Sequence, residues 1–464
     1  MTQRLGQQAI VIGGSIAGLT AARVLAAHFD RVIVLERDAL EQRPAVHKST
    51  PQGNHIHTLL LGGLQAMSSL YPGFVERLHK MGAVPIRAMS DFAIFFGNGV
   101  SAAKTFSLSG TVKEPRDFGF NLYSQSRELL EHCIRECTLE TPNLTLWSAA
   151  MARQLDYDAQ SVRGVRCGED GREETLAADL VVDAGGRGSH APRWLKEMGF
   201  EAPEETSIGC DFAYSSARFR LPDYSGEPER YLLFVGPPPR FTNGAIMAPI
   251  ENDIWQVSLG GRFGDYPPAD EAGFMAYVKS SIPVPKLAEL LRNAERVSPI
   301  THHRFPTSVQ RHYERLGAFP ERLIVLGDAV SSFNPVYGQG MSSAVLQVKQ
   351  LEKLLGERAA NGGGLEGLAA GFFPRAADVI SAPWILAAGA DFAFPQTKGE
   401  RPPNLAEGRS YFAALDALTA EDPEVHRMVF EVFGLVRPLS ALTSEPLLSR
   451  VLAFQQRRAN AKAS

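Results

Sequence analysis

Two short apolar runs enclose a helical pattern near the start of the chain. Ala9–Ile12 and Val32–Leu35 are continuous apolar segments, and each is long enough for one buried strand. Between them, apolar positions recur every three or four residues, as on the buried face of a helix: Ile16, Leu19, Arg23 through its aliphatic part, Val24 and Ala27. The pattern therefore predicts a strand, a helix and a second strand between Ala9 and Glu36.

Later apolar runs fall into two groups. The runs of one group are far apart in the sequence, and each predicts a separate strand: Phe92–Phe96, Leu144–Trp147, Val162–Cys167, Asp179–Val182 and Arg322–Leu326. The other group alternates with turns, which predicts an antiparallel sheet: Phe212–Leu221, Tyr231–Val235, Ala245–Pro249 and Ile254–Leu259. Helices are predicted from about Thr58 to Leu70, from Tyr123 onward and from Met341 to Leu355, with two or three more after Gly356.

Composition and charge narrow the class of protein. The 464 residues carry a net charge of −4, with 44% hydrophobic and 21% charged residues, which predicts a globular protein of two or three substructures without a nucleic-acid partner. The first apolar run is broken by glycines and lacks a basic leader. We therefore predict no signal peptide and no stable membrane insertion. We also expect a cytoplasmic protein that is a monomer or a homodimer. The cysteines are predicted to be free thiols: Cys133, Cys137, Cys167 and Cys210.

The turn after the first strand is rich in glycine. Gly13, Gly14 and Gly18 are typical of a dinucleotide-binding βαβ unit, in which a pyrophosphate lies on the helix N-terminus. Glu36 follows Gly18 by 18 residues, near the spacing at which an acid accepts hydrogen bonds from a ribose. Ser15 stands where the G-x-G-x-x-G pattern has its second glycine, so an ordinary turn without a ligand stays an alternative.

Three polar side chains are candidates for chemistry outside this turn. Arg127 begins an otherwise apolar helix face, so its guanidinium is exposed at the helix start or needs a partner such as a phosphate or a backbone carbonyl. His55 and His57 lie two residues apart in a loop, where they face a cofactor or substrate or only stabilise the loop. With no third ligand near them, no metal site is predicted.

Two further motifs follow predicted strands. Residues 183–189 (DAGGRGS) form a second glycine-rich turn, and residues 327–329 (GDA) follow the strand that ends at Leu326. Residues 334–340 (NPVYGQG) form a loop that opens a helix, so that its glycines and the free N–H groups of the helix face outward.

Taken in order, four features resemble the motifs of class A FAD-dependent monooxygenases, which share the para-hydroxybenzoate hydroxylase fold. They are GGSIAGL at 13–19, Arg127, DAGGRGS at 183–189, and GDA followed by NPVYGQGM at 327–341. Residues 51–60 (PQGNHIHTLL) and 181–200 are similar to bacterial polyether polyene epoxidase-like flavoproteins.

The resemblance implies an α/β fold with three parts. A Rossmann-type FAD-binding domain would comprise residues 1–85, 121–190 and 301–350. An antiparallel-sheet substrate-binding domain would comprise residues 86–120 and 191–300, followed by a C-terminal helical region, 351–464.

The resemblance also implies which residues hold FAD. The pyrophosphate would lie at the first turn, the adenosine ribose at Glu36, the ribityl chain at Asp328 and the isoalloxazine at the loop before the last helix. The implied cofactor-binding residues are Gly13, Ser15, Gly18, Glu36, Arg37, Arg127, Asp328, Pro335, Gly338, Gly340 and Met341. The family's second motif usually carries an Asp-Gly pair that is shared with NAD(P)H. Here Ala184 follows Asp183, which puts that NAD(P)H contact in question.

The implied activity is an FAD-dependent monooxygenase that uses O2 and NADH or NADPH. It would epoxidise or hydroxylate an apolar natural product, an alkene or an aromatic compound, through a flavin C4a-hydroperoxide, with His55 or His57 as candidates for proton delivery. Two alternatives stay open: a flavin-dependent reductase of isoprenoid double bonds, and a non-catalytic flavin-binding protein. The halogenase signature G-W-x-W-x-I-P does not occur.

Overall fold

A computed structural model describes residues 4–48, 50–97, 102–107, 110–158, 160–169, 172–224 and 229–463. The helices in this part of the chain are α1 Ile16–Leu25, α2 Leu61–Leu70, α3 Phe74–Lys80, α4 Arg127–Leu139, α5 Ala191–Glu197, α6 Glu271–Ser280, α7 Lys286–Leu290, α8 Gly340–Ala360, α9 Leu368–Asp391, α10 Leu405–Glu421, α11 Pro423–Phe433 and α12 Leu447–Ala463. The strands are β1 Gly6–Ile12, β2 Phe29–Leu35, β3 Val84–Arg87, β4 Phe92–Gly97, β5 Ala102–Thr105, β6 Asn121–Ser124, β7 Leu144–Trp147, β8 Met151–Tyr157, β9 Val162–Glu169, β10 Arg172–Ala177, β11 Leu180–Asp183, β12 Glu205–Ile208, β13 Phe212–Arg220, β14 Tyr231–Val235, β15 Gly244–Ile250, β16 Ile254–Arg262, β17 Glu295–Arg296, β18 Thr301–Phe305, β19 Ser308–Arg311, β20 Leu323–Val325 and β21 Ser331–Ser332.

A five-stranded parallel sheet organises the first part of the molecule. Its strand order is β20-β11-β1-β2-β7, and every neighbouring pair is parallel. Ile12 of β1 is in register with Leu35 of β2 and with Asp183 of β11, which in turn is in register with Val325 of β20. The carboxyl ends of these four strands therefore meet at one edge of the sheet. The glycine turns and Glu36 directly follow these strand ends.

Alternate residues of the central strand pack on opposite faces of this sheet. Ala9 and Val11 belong to the core formed with α1, α4, α8 and α9, whereas Ile10 belongs to a second core beneath the small sheet β8-β9-β10. Because both faces are covered, β1 is apolar at every position from Ala9 to Ile12, as is usual for a buried parallel strand.

An eight-stranded sheet forms the second part. The order is β17-β13-β16-β15-β14-β4-β5, with β18 also paired to β13. Every pair is antiparallel except β4 with β14. One face of this sheet packs on α6 and α7 through a core that includes Phe219, Phe234, Met247 and Phe274. The predicted α/β fold class, with a Rossmann-type unit and an antiparallel sheet, is confirmed. The division into domains stays a prediction.

Three predicted helix features need correction. Tyr123 belongs to strand β6, and α4 begins only at Arg127, because the Ser126 hydroxyl caps the helix by accepting from the backbone N–H of Leu129 at 3.2 Å. Helix α2 begins at Leu61 rather than near Thr58. Four helices, α9 to α12, follow Gly356 in the described residues, where two or three were predicted. Of the helices described, none is long and apolar enough to cross a membrane.

Candidate cofactor-binding site

The first glycine turn packs directly against the start of α1. A Cβ on Gly18 would lie 1.8 Å from the carbonyl oxygen of Gly13, which is a severe steric overlap for any side chain. The strand end and the helix can therefore approach this closely only if position 18 is glycine. The first turn of α1 carries no acidic residue, so its N–H groups and positive dipole end are suited to an anion.

Glu36 is buried and accepts a hydrogen bond from the backbone of this turn. Its Oε2 accepts a hydrogen bond from the backbone N–H of Gly14 at 2.8 Å, and its Oε1 accepts from that of Asp38 at 2.8 Å. Each oxygen keeps a second lone pair, so the predicted bond to a ribose hydroxyl is compatible with these contacts. Arg37 is exposed, and among the described residues it has no hydrogen-bond or ion-pair partner.

Ser15 has a role that explains its departure from the glycine pattern. Its hydroxyl donates to Glu131 Oε1, and Arg127 Nη2 donates to Ser15 Oγ at 3.1 Å and to Glu131 Oε1 at 2.7 Å. The partner of Arg127 is thus a carboxylate, not the backbone carbonyl considered from the sequence. Glu131 is absent from the predicted site, although its spacing of four residues from Arg127 on a helix was a usable signal.

This buried cluster is ionised and still has a free donor. Burial alone would raise the pKa of Glu131, but Arg127 and the hydrogen bonds from Ser15 and Arg127 lower it overall. The Nε of Arg127 is buried without a hydrogen-bond partner among the described residues. An anionic ligand at the turn would satisfy this donor, which is the fit expected for a pyrophosphate.

The turn that contains Asp328 meets the first glycine turn in space. A Cβ on Gly327 would lie 3.0 Å from the Cβ of Ala17 in α1. The side chain of Asp328 is accessible, yet protein surrounds it closely enough that burial raises its pKa, against the opposing charges of Arg127 and Arg187. Asp328 therefore lines a recess beside the first turn.

The loop before α8 borders the same recess. A Cβ on Gly340, the first residue of α8, would lie 3.7 Å from Asp328 Oδ1. Pro335 and Gly338 are half-buried in the preceding loop, and Gly338 has a φ of +65°. Met341 is half-buried and packs on the core beneath the first sheet. The first turn of α8, like that of α1, carries no acidic residue.

The two candidate histidines lie between the recess and the eight-stranded sheet. His55 Nδ1 is 2.6 Å from Ser216 Oγ of β13, and burial lowers the pKa of His55 to about 2. The Nδ1–H of His57 donates to the carbonyl oxygen of His55 at 2.9 Å. Burial, assisted by the charge of Arg127, lowers the pKa of His57 to about 4. Both rings are therefore neutral near pH 7.

Asp183 of the second glycine turn is used to build that turn. Its Oδ1 accepts from the backbone N–H of Gly185 at 2.8 Å, and its Oδ2 accepts from the Ser189 hydroxyl at 2.6 Å.

A cavity of about 710 Å³ lies elsewhere, lined by Arg77 and Cys137 among others. It is at the C-terminal end of α4, whereas Arg127 is the first residue of that helix.

Comparisons with known proteins show the family of this chain. The model of a family described as FAD binding domain matches residues 7–369. Protein Rv3254 of Mycobacterium tuberculosis is 31% identical over 468 residues, covering 98% of this chain and 96% of that protein.

Solved structures share the fold. The flavin-dependent brominase Bmp2 has a TM-score of 0.67 at 16% identity, with 98% of this chain and 100% of that chain covered. The p-nitrophenol 4-monooxygenase PnpA from Pseudomonas putida DLL-E4 has a TM-score of 0.64 at 20% identity, with 94% and 99% covered. Similarity at this level concerns the fold and not the substrate.

Proposed function

This chain belongs to the FAD binding domain family, and on that premise we propose that it is an FAD-dependent monooxygenase that epoxidises or hydroxylates an apolar natural product. One observation carries the proposal. The first glycine turn, Asp328 and the N-terminus of α8 lie side by side, although they are far apart in the sequence: Gly327 lies against Ala17 of α1, and Gly340 lies close to the Asp328 carboxylate. We infer that an extended dinucleotide binds across these three parts.

We assign the parts of FAD to these residues as follows. The turn Gly13–Gly18 and Arg127 would hold the pyrophosphate, Glu36 the adenosine ribose, and Asp328 the ribityl chain. The loop from Pro335 to Gly340 would lie beside the isoalloxazine, where the α8 dipole stabilises negative charge on the reduced ring. When bound, FAD supplies the electron transfer and the reaction with O2, and the protein supplies position and a dry environment.

An apolar substrate is supported by the sheet that adjoins this recess. The rings of Phe212 and Tyr214 stack at 5.6 Å, and the His55 ring meets Tyr214 edge-on at 4.0 Å. His55 is neutral near pH 7, and these three residues are buried, so next to the recess the interior consists of aromatic rings and uncharged polar atoms, apart from the Arg262 guanidinium 5.3 Å from the centroid of the Phe212 ring. If His55 or His57 takes part in proton delivery, it starts as a neutral imidazole that accepts a proton.

Isotope labelling tests the reaction class. The FAD-loaded protein is supplied with NADH or NADPH under ¹⁸O₂ and a panel of polyene, terpenoid and phenolic compounds, and the products are analysed by mass spectrometry. A monooxygenase gives a product with one ¹⁸O atom. Product formation without oxygen would instead support reduction of a double bond.

A second arm separates the reaction from its reductant. The bound FAD is reduced chemically under nitrogen, and ¹⁸O₂ and substrate are then added. If this arm gives a labelled product and NADH and NADPH do not reduce the bound FAD, the protein is a monooxygenase that does not react directly with NAD(P)H. Ala184 already puts that direct reaction in question. No labelled product in either arm would favour the non-catalytic alternative.

A further inference from the structure

A buried ion pair lies beneath the loop that leads into α8. Arg262 Nη1, at the end of β16, is 2.7 Å from Asp391 Oδ1, at the end of α9. The same carboxylate oxygen accepts from Asn334 Nδ2 at 2.9 Å and from the Tyr337 hydroxyl at 2.7 Å. Three separate elements of the chain therefore meet at one oxygen atom.

The pair is almost entirely shielded from solvent. The side chains of Arg262 and Asp391 are 6% and 1% exposed. The Arg262 guanidinium lies 5.3 Å from the centroid of the Phe212 ring and 5.0 Å from that of Phe394. Buried charges are costly unless they compensate each other. Replacement of either side chain therefore leaves the other as an uncompensated buried charge.

The direction of each hydrogen bond is clear from the ionisation states. Burial alone would lower the pKa of Arg262, but Tyr337 and Asp391 raise it, so the guanidinium stays charged. Burial raises the pKa of Tyr337, so its hydroxyl keeps its proton. Tyr337 therefore accepts from Arg262 Nη2 at 3.1 Å and donates to Asp391.

The pair contacts the loop at two of its residues. Asn334 starts the loop, and its Oδ1 also accepts from the backbone N–H of Val336 at 3.3 Å. Tyr337 ends the short turn directly before Gly338. The carboxylate thus holds both ends of the segment that borders the recess. The other oxygen, Asp391 Oδ2, is buried with no hydrogen-bond partner among the described residues.

We propose that Arg262 and Asp391 are positioning residues: as a charge-balanced pair they hold the loop Asn334–Gly338 in place through Asn334 and Tyr337, and they keep the net charge of this buried group at zero beside the loop that would hold the flavin ring. This inference rests on the proposed function in one respect, namely that FAD binds at this loop. Substrate identity and turnover do not enter it.

Removing one charge at a time tests the electrostatic part. The variants D391N, R262Q and the double variant R262Q/D391N are loaded with FAD, and the midpoint potential of the bound flavin is measured against reference dyes. D391N leaves a buried cation, which favours the reduced anionic ring, so the potential shifts in the positive direction. R262Q leaves a buried anion, so it shifts the potential in the negative direction. The double variant returns it close to the wild-type value.

If the pair acts by keeping this buried group neutral, the two single variants shift the potential in opposite directions and the double variant cancels the shifts. Damage to the loop alone does not predict these opposite shifts. A damaged loop would move all three potentials in one direction, and that outcome, or a double variant that shifts as far as D391N, overturns the electrostatic part.

The positioning part has its own test, which does not depend on the folding of charge variants. Y337F keeps both charges and removes one hydroxyl, so the FAD dissociation constant rises several-fold while the potential stays near its wild-type value. Y411F is the matched control, because it removes a hydroxyl that donates to the Leu442 carbonyl within the C-terminal helices. Equal FAD affinity in Y337F and Y411F would overturn this part. Wild-type protein that binds no FAD would refute the proposed function instead.

Discussion

The first glycine turn and the loop before α8 border the same recess but are held in different ways. The turn Gly13–Gly18 is closed by backbone contact, since the Cα of Gly18 packs on the carbonyl of Gly13, and by Glu36, which is 22 residues from its partner Gly14. The loop Asn334–Gly338 is held by side chains from β16 and α9, at sequence separations of 75 and 57 residues.

This difference predicts different responses to substitution. A region held by steric contact fails when a single carbon atom is added, whatever the rest of the chain does. A region held by remote polar side chains tolerates added volume but depends on charge and hydrogen bonding elsewhere.

Gly18→Ala is expected to have the largest effect on FAD affinity. The new carbon would lie 1.8 Å from a backbone oxygen, and only movement of the turn itself could relieve that overlap. We expect the FAD dissociation constant to rise about 100-fold or more, equivalent to roughly 3 kcal/mol, or the protein to lose FAD during purification. The ratio of flavin to protein absorbance after gel filtration measures this.

Gly408→Ala is the matched control for that substitution. Gly408 lies within α10, with nothing within 4 Å of an added Cβ, so alanine should stabilise the helix by about 1 kcal/mol and leave FAD content unchanged. Comparable FAD loss in both variants would show that the turn is not sterically closed.

Arg127→Met acts mainly on a different quantity, the free energy of unfolding, because it leaves the buried Glu131 carboxylate without its cation. At pH 7 the loss of stability should be about 3–5 kcal/mol. In the wild type the pKa of Glu131 is lowered, so its contribution is present above the unfolded value of 4.5 and is lost as the pH falls. Without Arg127, burial alone raises that pKa, and stability is lost as the pH rises through and above 4.5 instead. Urea unfolding midpoints of both proteins at several pH values between 4 and 7 measure the difference.

The gap between variant and wild type should therefore widen with increasing pH. Arg127 also acts on the pKa values of Asp328 and His57. The double variant R127M/E131Q therefore shows which of these groups causes the added pH dependence of stability. If Glu131 is responsible, the double variant loses most of the added pH dependence. A gap that is constant with pH would contradict the ion pair.

Glu36→Ala should have an intermediate effect. It leaves the buried N–H groups of Gly14 and Asp38 without their acceptor, at a cost of about 1–3 kcal/mol for an unsatisfied group, so FAD affinity should fall about tenfold or more. Glu36→Gln keeps one acceptor oxygen and should lose less. Calorimetric titration of the apoprotein with FAD measures both.

Arg37→Ala serves as the control at the neighbouring position. Arg37 was predicted to bind the cofactor but is exposed and has no partner among the described residues, so its loss should matter less than that of Glu36. An equal effect would support the original prediction for Arg37 and weaken the view that the turn is held from within.

The same contrast shows what could be predicted from the sequence. The first turn was predictable because Gly13, Gly18 and Glu36 lie within one strand–helix–strand unit, where spacing alone places them at one sheet edge. The contacts made by supports from elsewhere were not predictable. The spacing of Arg127 and Glu131 on one helix indicated their ion pair, but not that Glu131 reaches Ser15 across 116 residues. Asp391 is one acid within a helical region whose packing no local pattern reveals.

The loop before α8 was recognised only as a motif. Its glycines and proline marked it as a special conformation, but nothing in NPVYGQGM indicates that Asn334 and Tyr337 converge on one buried carboxylate. Contacts of this kind depend on how the second sheet and α9 dock against the first sheet, and docking is a property of the whole fold.

Gly338→Ala should have the smallest effect and is the sharpest test of the comparison. Gly338 has a φ of +65°, which costs a non-glycine residue about 1–2 kcal/mol, but nothing lies within 4 Å of an added Cβ. We expect a modest fall in thermal midpoint and at most a few-fold loss of FAD affinity. Gly338→Asn should lose less than alanine, because asparagine adopts the left-handed conformation more readily. Gly317→Ala, at an open position without a positive φ, controls for the added methyl group. If Gly338→Ala lost FAD as completely as Gly18→Ala, the loop would be closed by steric contact as well, and its remote side chains would not be what holds it.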